Sequence, residues 1–154
     1  MTALLAVLLA STPAPQGPLE LRAIFATNAM NEACCLFELA VTPDGNGTLR
    51  IYNNGWRTHE GAVPIGALEA VRRAVQKERF FQLPEEIGPI PVDCHDREMS
   101  LRIGKQARKV VLFGCSKDER PDGIDVGDEV RLRAWAVWDT IRAVVRHLAG
   151  VEVE

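Results

Sequence analysis

The stretch "LFELAVTPDGNGTLRIYNNGWRTHEGAV", residues 36–63, decides the architecture of this chain. Apolar and polar residues alternate through LFELAVT and again through TLRIYN, where Leu49 and Ile51 share a face. Between the two runs, PDGNG is a hairpin signal, because its glycines can take the positive φ that a tight return requires. NNG at 53–55 marks a second tight turn, and WRTHEGAV is expected to return as a further strand. A period of two interrupted only by turn residues is a strand pattern, so the region predicts a β-meander.

Upstream, LELRAIFAT (19–27) sets Leu19, Leu21 and Ala23 against Glu20 and Arg22, which adds a strand. Downstream, Pro64 stops the sheet. In IGALEAVRRAVQKERFF, Leu68, Val71 and Val75 recur at helical spacing with Arg72, Arg73, Gln76 and Lys77 on other faces. FFQLPEEIGPIP is expected to be a loop with Phe80, Phe81 and Leu83 docked beneath it. A second hairpin follows: Met99, Leu101 and Ile103 share one face of its first strand, and Val110 and Leu112 one face of its second. From about Asp128 to Leu148, a stripe of Ala134, Val137, Trp138, Ile141, Val145 and Leu148 predicts the last helix. Arg133, Asp139, Arg142 and Arg146 are expected to face away from it, and Trp135 to lie toward its edge. Asp125 or Asp128 is placed to cap its start. The predicted class is α+β: an antiparallel sheet of about six strands, ββββ-α-ββ-α, with both helices packed on one face.

These pieces together resemble a group of small exported bacterial domains of unknown function. The resemblance rests on Cys34-Cys35, PDGNGTLRIY, ALEAVRRAVQKERFFQL and MSLRIGKQARKVVLF, and covers about residues 19–146. It implies export and a similar fold, and it implies no reaction.

The 154 residues suit one domain, assigned to residues 19–150, and a domain of this size buries roughly two-thirds of its unfolded surface. With 47% hydrophobic and 25% charged residues, the composition is that of a globular protein rather than a disordered one. The formal net charge is -3 and the cations are scattered, so no nucleic acid is expected as a partner. ALLAVLLA (3–10) followed by STPAPQG resembles a secretory apolar region with its cleavage zone, and residues 1–18 are therefore expected to be a signal peptide and Pro-rich linker. The run is too short to span a bilayer, and no membrane span is expected elsewhere. The expected location is periplasmic or secreted, and cytoplasmic if the run is an ordinary apolar N-terminal segment.

Four cysteines in an exported chain suggest disulfides. If Gly104-Lys105 is the two-residue turn of the second hairpin, residue 103 faces 106 and, counting outward, Cys94 faces Cys115. If the turn is Lys105-Gln106, the two are diagonal neighbours on the same face, and in either case Cys94–Cys115 is the expected disulfide. A bond there closes a loop of about 20 residues and stabilises by roughly 3 kcal/mol on the loop-entropy model. Cys34 and Cys35 remain open: a strained vicinal bond, one buried and one exposed thiol, or competition for Cys94 or Cys115.

No metal site and no cofactor are expected, because the chain lacks the C-x-x-C or H-x-x-x-H spacings that place two ligands together. DCHDRE, with Cys94 and His95, is expected to be a solvated polar loop, as is the acidic stretch after Cys115. Cys94 and His95 are chain neighbours, a poor arrangement for a thiol nucleophile and its base, and no G-x-S-x-G, phosphate loop or dinucleotide fingerprint occurs. A catalytic role is not expected, and a small hydrolase ranks last among the readings. Tyr52, Trp56 and His59 form a candidate binding patch. The expected function is that of an exported non-catalytic module binding a protein through its meander face or sheet edge. The alternative is a thiol-redox or metal-handling envelope protein using Cys34 and Cys35.

Overall fold

The computed structural model describes residues 14–27, 37–52, 54–88, 95–114 and 128–150. The meander forms strands β1 (Leu19–Thr27), β2 (Phe37–Val41), β3 (Asn46–Tyr52) and β4 (Trp56–Ala62). Helix α1 (Ile65–Lys77) and a 3₁₀ turn (Phe80–Gln82) lead to β5 (Glu86–Ile87), the hairpin β6 (His95–Ile103) and β7 (Gln106–Phe113), and the long helix α2 (Asp128–Ala149).

The strands make a single sheet in the order β4-β3-β2-β1-β6-β7-β5. The α+β class holds, but the sheet is mixed with seven strands rather than antiparallel with six. The extra strand is β5, which pairs parallel to β7 through Glu86↔Val111 and Ile87↔Leu112. Two residues are too few to show an alternation in sequence. What holds them is tertiary: Ile87 is fully buried and the Val111 amide donates to the Glu85 carbonyl at 2.7 Å.

Alternation builds one core on one face of the sheet. Leu19, Leu21 and Ala23 of β1 stand beside Leu101, Ile103 and Met99 of β6, and beside Val41 and Leu39 of β2. These side chains join Val71 and Val75 of α1 and the Ala134–Val137–Trp138–Ile141–Val145 stripe of α2 in a single cluster. The predicted docking under the 80–83 segment holds for Phe80 and Leu83, both fully buried, while Phe81 is partly buried.

Arginines fasten the connections. Arg133 of α2, expected to face away, instead donates to the carbonyls of Glu78 (2.7 Å) and Arg79 (3.3 Å) at the end of α1. The last carbonyls of a helix have no intrahelical partner, and a guanidinium supplies one. Arg79 itself takes a left-handed conformation, φ 50°, so the clamp holds the residue that turns the chain out of α1. Arg108 does the same for the next corner, donating twice to the Leu83 carbonyl at 2.9 and 2.6 Å. At the β6–β7 turn Gly104 has φ 57°, and a β-carbon there would collide with the Gln16 carbonyl oxygen, so both backbone and space require glycine.

Candidate interaction surface

The helices cover one face of the sheet, and the residues between the core positions form the other. Opposite charges on neighbouring strands meet on it: Arg50 with Glu38 at 3.1 Å, Lys109 with Glu98 at 2.8 Å and Arg102 with Glu20 at 3.6 Å. Exposed pairs of this kind contribute little, about 0–1 kcal/mol each. Their effect is to keep the face polar while fixing its side chains in rows. Small residues Ala40, Ser100 and Ala107 floor an open concavity flanked by Arg22, Arg102 and Lys109.

One corner of this face is aromatic. Tyr52 and Trp56 close the β3–β4 ladder as a directly opposed pair, their ring centroids 5.6 Å apart and edge-on at 72°. The Arg50 guanidinium lies 4.6 Å from the Trp56 ring centre, while its other side holds Glu38. Trp56 is nevertheless 46% exposed, the most exposed of the three tryptophans. His59, grouped with these two from sequence, is not beside them. It stands opposite Leu49, a core residue, and so projects to the helix-covered side. The turn at Asn54 and Gly55 brings Trp56 back to Tyr52, but His59, three residues on, falls on the opposite parity.

Beyond Trp56, strand β4 is an edge. Six of its seven residues are exposed and His59 is partly so. Its hydrogen-bonding polarity follows from the ladder. The Val63 amide donates to the Gly45 carbonyl at 2.9 Å, which makes Val63 and Gly45 a hydrogen-bonded pair. Counting back along an antiparallel ladder, Gly61, His59 and Arg57 spend their backbone groups on β3. The N–H and C=O groups of Trp56, Thr58, Glu60 and Ala62 therefore point outward, away from the sheet.

At the same end of the sheet, in a stretch expected to be a solvated loop, lies a polar cluster centred on a buried arginine on the core side. His95, Asp96 and Arg97 are the first residues of β6. Arg97 shares the parity of Met99 and Leu101, and it is only 6% exposed. Its guanidinium lies 4.4 Å from the Trp135 ring and 5.1 Å from the Phe25 ring, and it donates to the carbonyls of His95 (3.2 Å) and Gly114 (2.5 Å). Burial, followed by repulsion from Arg142, pulls its pKa down to about 10 against the opposing pull of Asp96 and Asp139, so it stays charged at neutral pH. Trp135, expected at the helix edge, is buried because this cation covers it. His95 packs 4.8 Å from the Phe25 ring, and Phe37 stacks on Trp138 at 5.6 Å. Burial first, then Arg97, lowers the His95 pKa below 6.5, with Asp96 opposing. Neither His95 Nδ1 nor Trp135 Nε1 has a hydrogen-bond partner among the described residues.

Cys34, Cys35, Cys94 and Cys115 lie outside the described residues, as do Asp125 and the acidic stretch after Cys115. The described chain nearest each cysteine converges on this end of the sheet: Phe25 pairs with Phe37, Thr27 with His95 and Asp96 with Phe113. The second hairpin turns at Gly104 and Lys105, where Ile103 faces Gln106. Among the described residues, no three His, Cys, Asp or Glu side chains are grouped to hold a metal. No described helix is long and apolar enough to cross a membrane. Neither a scan against family models nor a search of curated proteins finds a match to this sequence.

Proposed function

We propose that the chain is an exported, non-catalytic protein-binding module whose contact region is the β4 edge and the Tyr52–Trp56–Arg50 corner beside it. The observation that carries this reading is the edge itself: a seven-residue strand whose outward backbone groups meet no other strand among the described residues, next to an exposed tryptophan. An extended segment added to such an edge gains main-chain hydrogen bonds, and an exposed aromatic at its end supplies an anchor. The apolar N-terminal run supports export. A photo-reactive amino acid at Thr58, whose backbone points out from the edge and whose side chain stands on the uncovered face beside it, tests the reading in producing cells. The expected result is a protein adduct that Trp56→Ala abolishes. Absence of every protein adduct would overturn it.

A second reading, thiol-redox chemistry at Cys34 and Cys35, is favoured by one observation: the described residues nearest all four cysteines meet at one end of the sheet. The Cys94–Cys115 link expected from the sequence would leave Cys34 and Cys35 as the candidate reactive pair. Non-reducing peptide mapping of exported protein should find the Cys94–Cys115 link. A Cys34–Cys35 bond that low millimolar thiol opens while the other survives would support the redox reading, and four free, unreactive thiols would end it.

A further inference from the structure

The two edges of the sheet are built differently. On one side β5 covers only Val111 and Leu112 of β7, and Arg108 in the rest of β7 is tied to the Leu83 carbonyl of the preceding corner, whereas on the other β4 carries seven residues in unbroken register with β3, from Asn46↔Ala62 to Tyr52↔Trp56. Native edges are commonly blunted by lysine, proline, a bulge or a covering segment. Strand β4, WRTHEGA, contains no lysine, proline or bulge; its charges are Arg57, on the helix side, and Glu60, and among the described residues only His59 is even partly covered. An edge left in this state is a template for another strand.

We infer that the strand it takes is β4 of a second copy, paired antiparallel about a two-fold axis through His59. This rests on the reading of β4 as the contact region and names its occupant. The outward-facing residues are Trp56, Thr58, Glu60 and Ala62, symmetric about position 59. With His59 on the axis, each outward N–H and C=O of one copy meets an outward group of the other. The side chains fit in the same register. Trp56 lies over the small Ala62 of the other copy, Thr58 lies beside Glu60 as hydroxyl donor to carboxylate, and on the helix side Arg57 lies against Gly61, which offers no side chain. Shifts of one residue either way lose this match. Centring on Glu60 sets two carboxylates directly opposite and brings Trp56 against Pro64, which has no N–H to donate. Centring on Thr58 sets Trp56 against Glu60 and leaves Ala62 beyond the partner strand. Complementarity of bulk, charge and hydrogen-bonding groups therefore selects one register, which joins the two sheets into one and keeps all four helices on the same side.

A strand pair with one aromatic anchor buries little area, at or below the ~1,200 Å² of small specific interfaces, so the dimer is of weak, concentration-dependent character. Sedimentation velocity of the full chain across micromolar to sub-millimolar concentration should show the mass rising from 17.0 kDa toward twice that value. Thr58→Pro removes an outward N–H without touching the bonds to β3, and should hold the protein at the monomer mass. His59→Cys gives a readout that does not depend on that variant folding. The two introduced thiols face each other across the axis and should form a disulfide-linked dimer on mild oxidation. Wild type and Arg57→Cys, whose thiols stand four residues apart in register, should not. A monomer at every concentration with no His59→Cys cross-link overturns self-pairing. If the Thr58 photo-adduct then contains a different protein, the protein-binding reading stands with another occupant; if there is no adduct at all, both fall.

Discussion

The two hairpins of this protein, β3–β4 and β6–β7, have much the same local chemistry and opposite fates. Each is an unbroken antiparallel ladder closed by a short turn with a glycine at positive φ. In β6, every second residue from Arg97 to Ile103 is buried, because β1 lies on one side, β7 on the other and the helices above. In β4 no described strand lies on the far side, and even the core-facing positions hold Arg57, His59 and Gly61 rather than large apolar residues. Strand formation is thus a matter of local pattern, whereas burial is a matter of neighbours. The difference marks β6–β7 as foundation and β4 as the part of the sheet available to another chain.

Replacing the tryptophan associated with each region should give the widest separation. Trp138 is 2% exposed and packs against Phe37 and Phe25 beneath the sheet, so Trp138→Ala should cost about 3–5 kcal/mol by urea unfolding. Replacing Trp56 removes the Tyr52 edge contact and the Arg50 guanidinium contact, each about 0.5–1 kcal/mol at an exposed site, so Trp56→Ala should cost about 1–2 kcal/mol. Equal losses would mean that the β4 corner is part of the folding core, and the contrast between the hairpins would fail.

The parts of this contrast that were legible in sequence are those carried by alternation. Leu19, Leu21 and Ala23, Leu49 and Ile51, and Met99, Leu101 and Ile103 each share a face as their spacing requires, and the α2 stripe is buried except at Leu148, which is partly so. What escaped was decided across the chain. Strand β5 exists because Ile87 finds a place beside Leu112, not because two residues prefer extension. Arg97 had the correct parity for the core, two before Met99, yet its charge suggested solvent, and only Trp135 and Phe25 make a buried guanidinium tolerable. Conversely, nearness in sequence does not put His59 with Tyr52 and Trp56, because a step of three residues from Trp56 along a strand changes face.

Arg133 provides the next step down in effect, testing whether α1 is pinned as firmly as the β6–β7 side suggests. Its guanidinium satisfies the Glu78 and Arg79 carbonyls where α1 ends. Arg133→Ala returns those carbonyls partly to water and removes two charge-assisted bonds, so a loss of about 1–2 kcal/mol is expected. Hydrogen exchange should rise first at the amides of Glu78 and Arg79, whose turn bonds to Ala74 and Gln76 the clamp supports. A uniform rise across the sheet instead would show that α1 has no local opening of its own.

The smallest effect should come from acid, and it belongs to the β6 side. Burial against Phe25, then repulsion from Arg97, depresses the folded-state pKa of His95 below its ordinary 6.5, with Asp96 working against both. The group is a base, so depression means that the unfolded chain binds its proton more readily than the folded one. Stability is therefore unaffected by this residue well above pH 6.5, falls as pH drops through 6.5, and stops falling once pH passes below the depressed folded value. Arg97 remains charged throughout this window, since its own pKa is about 10, so its repulsion of the imidazolium does not fade. Unfolding free energies measured between pH 8 and pH 5 should slope downward more steeply in wild type than in His95→Asn, which has no proton to gain. An identical slope in the two proteins would mean that the imidazole reaches water freely, and that the start of β6 is no more enclosed than the edge at β4.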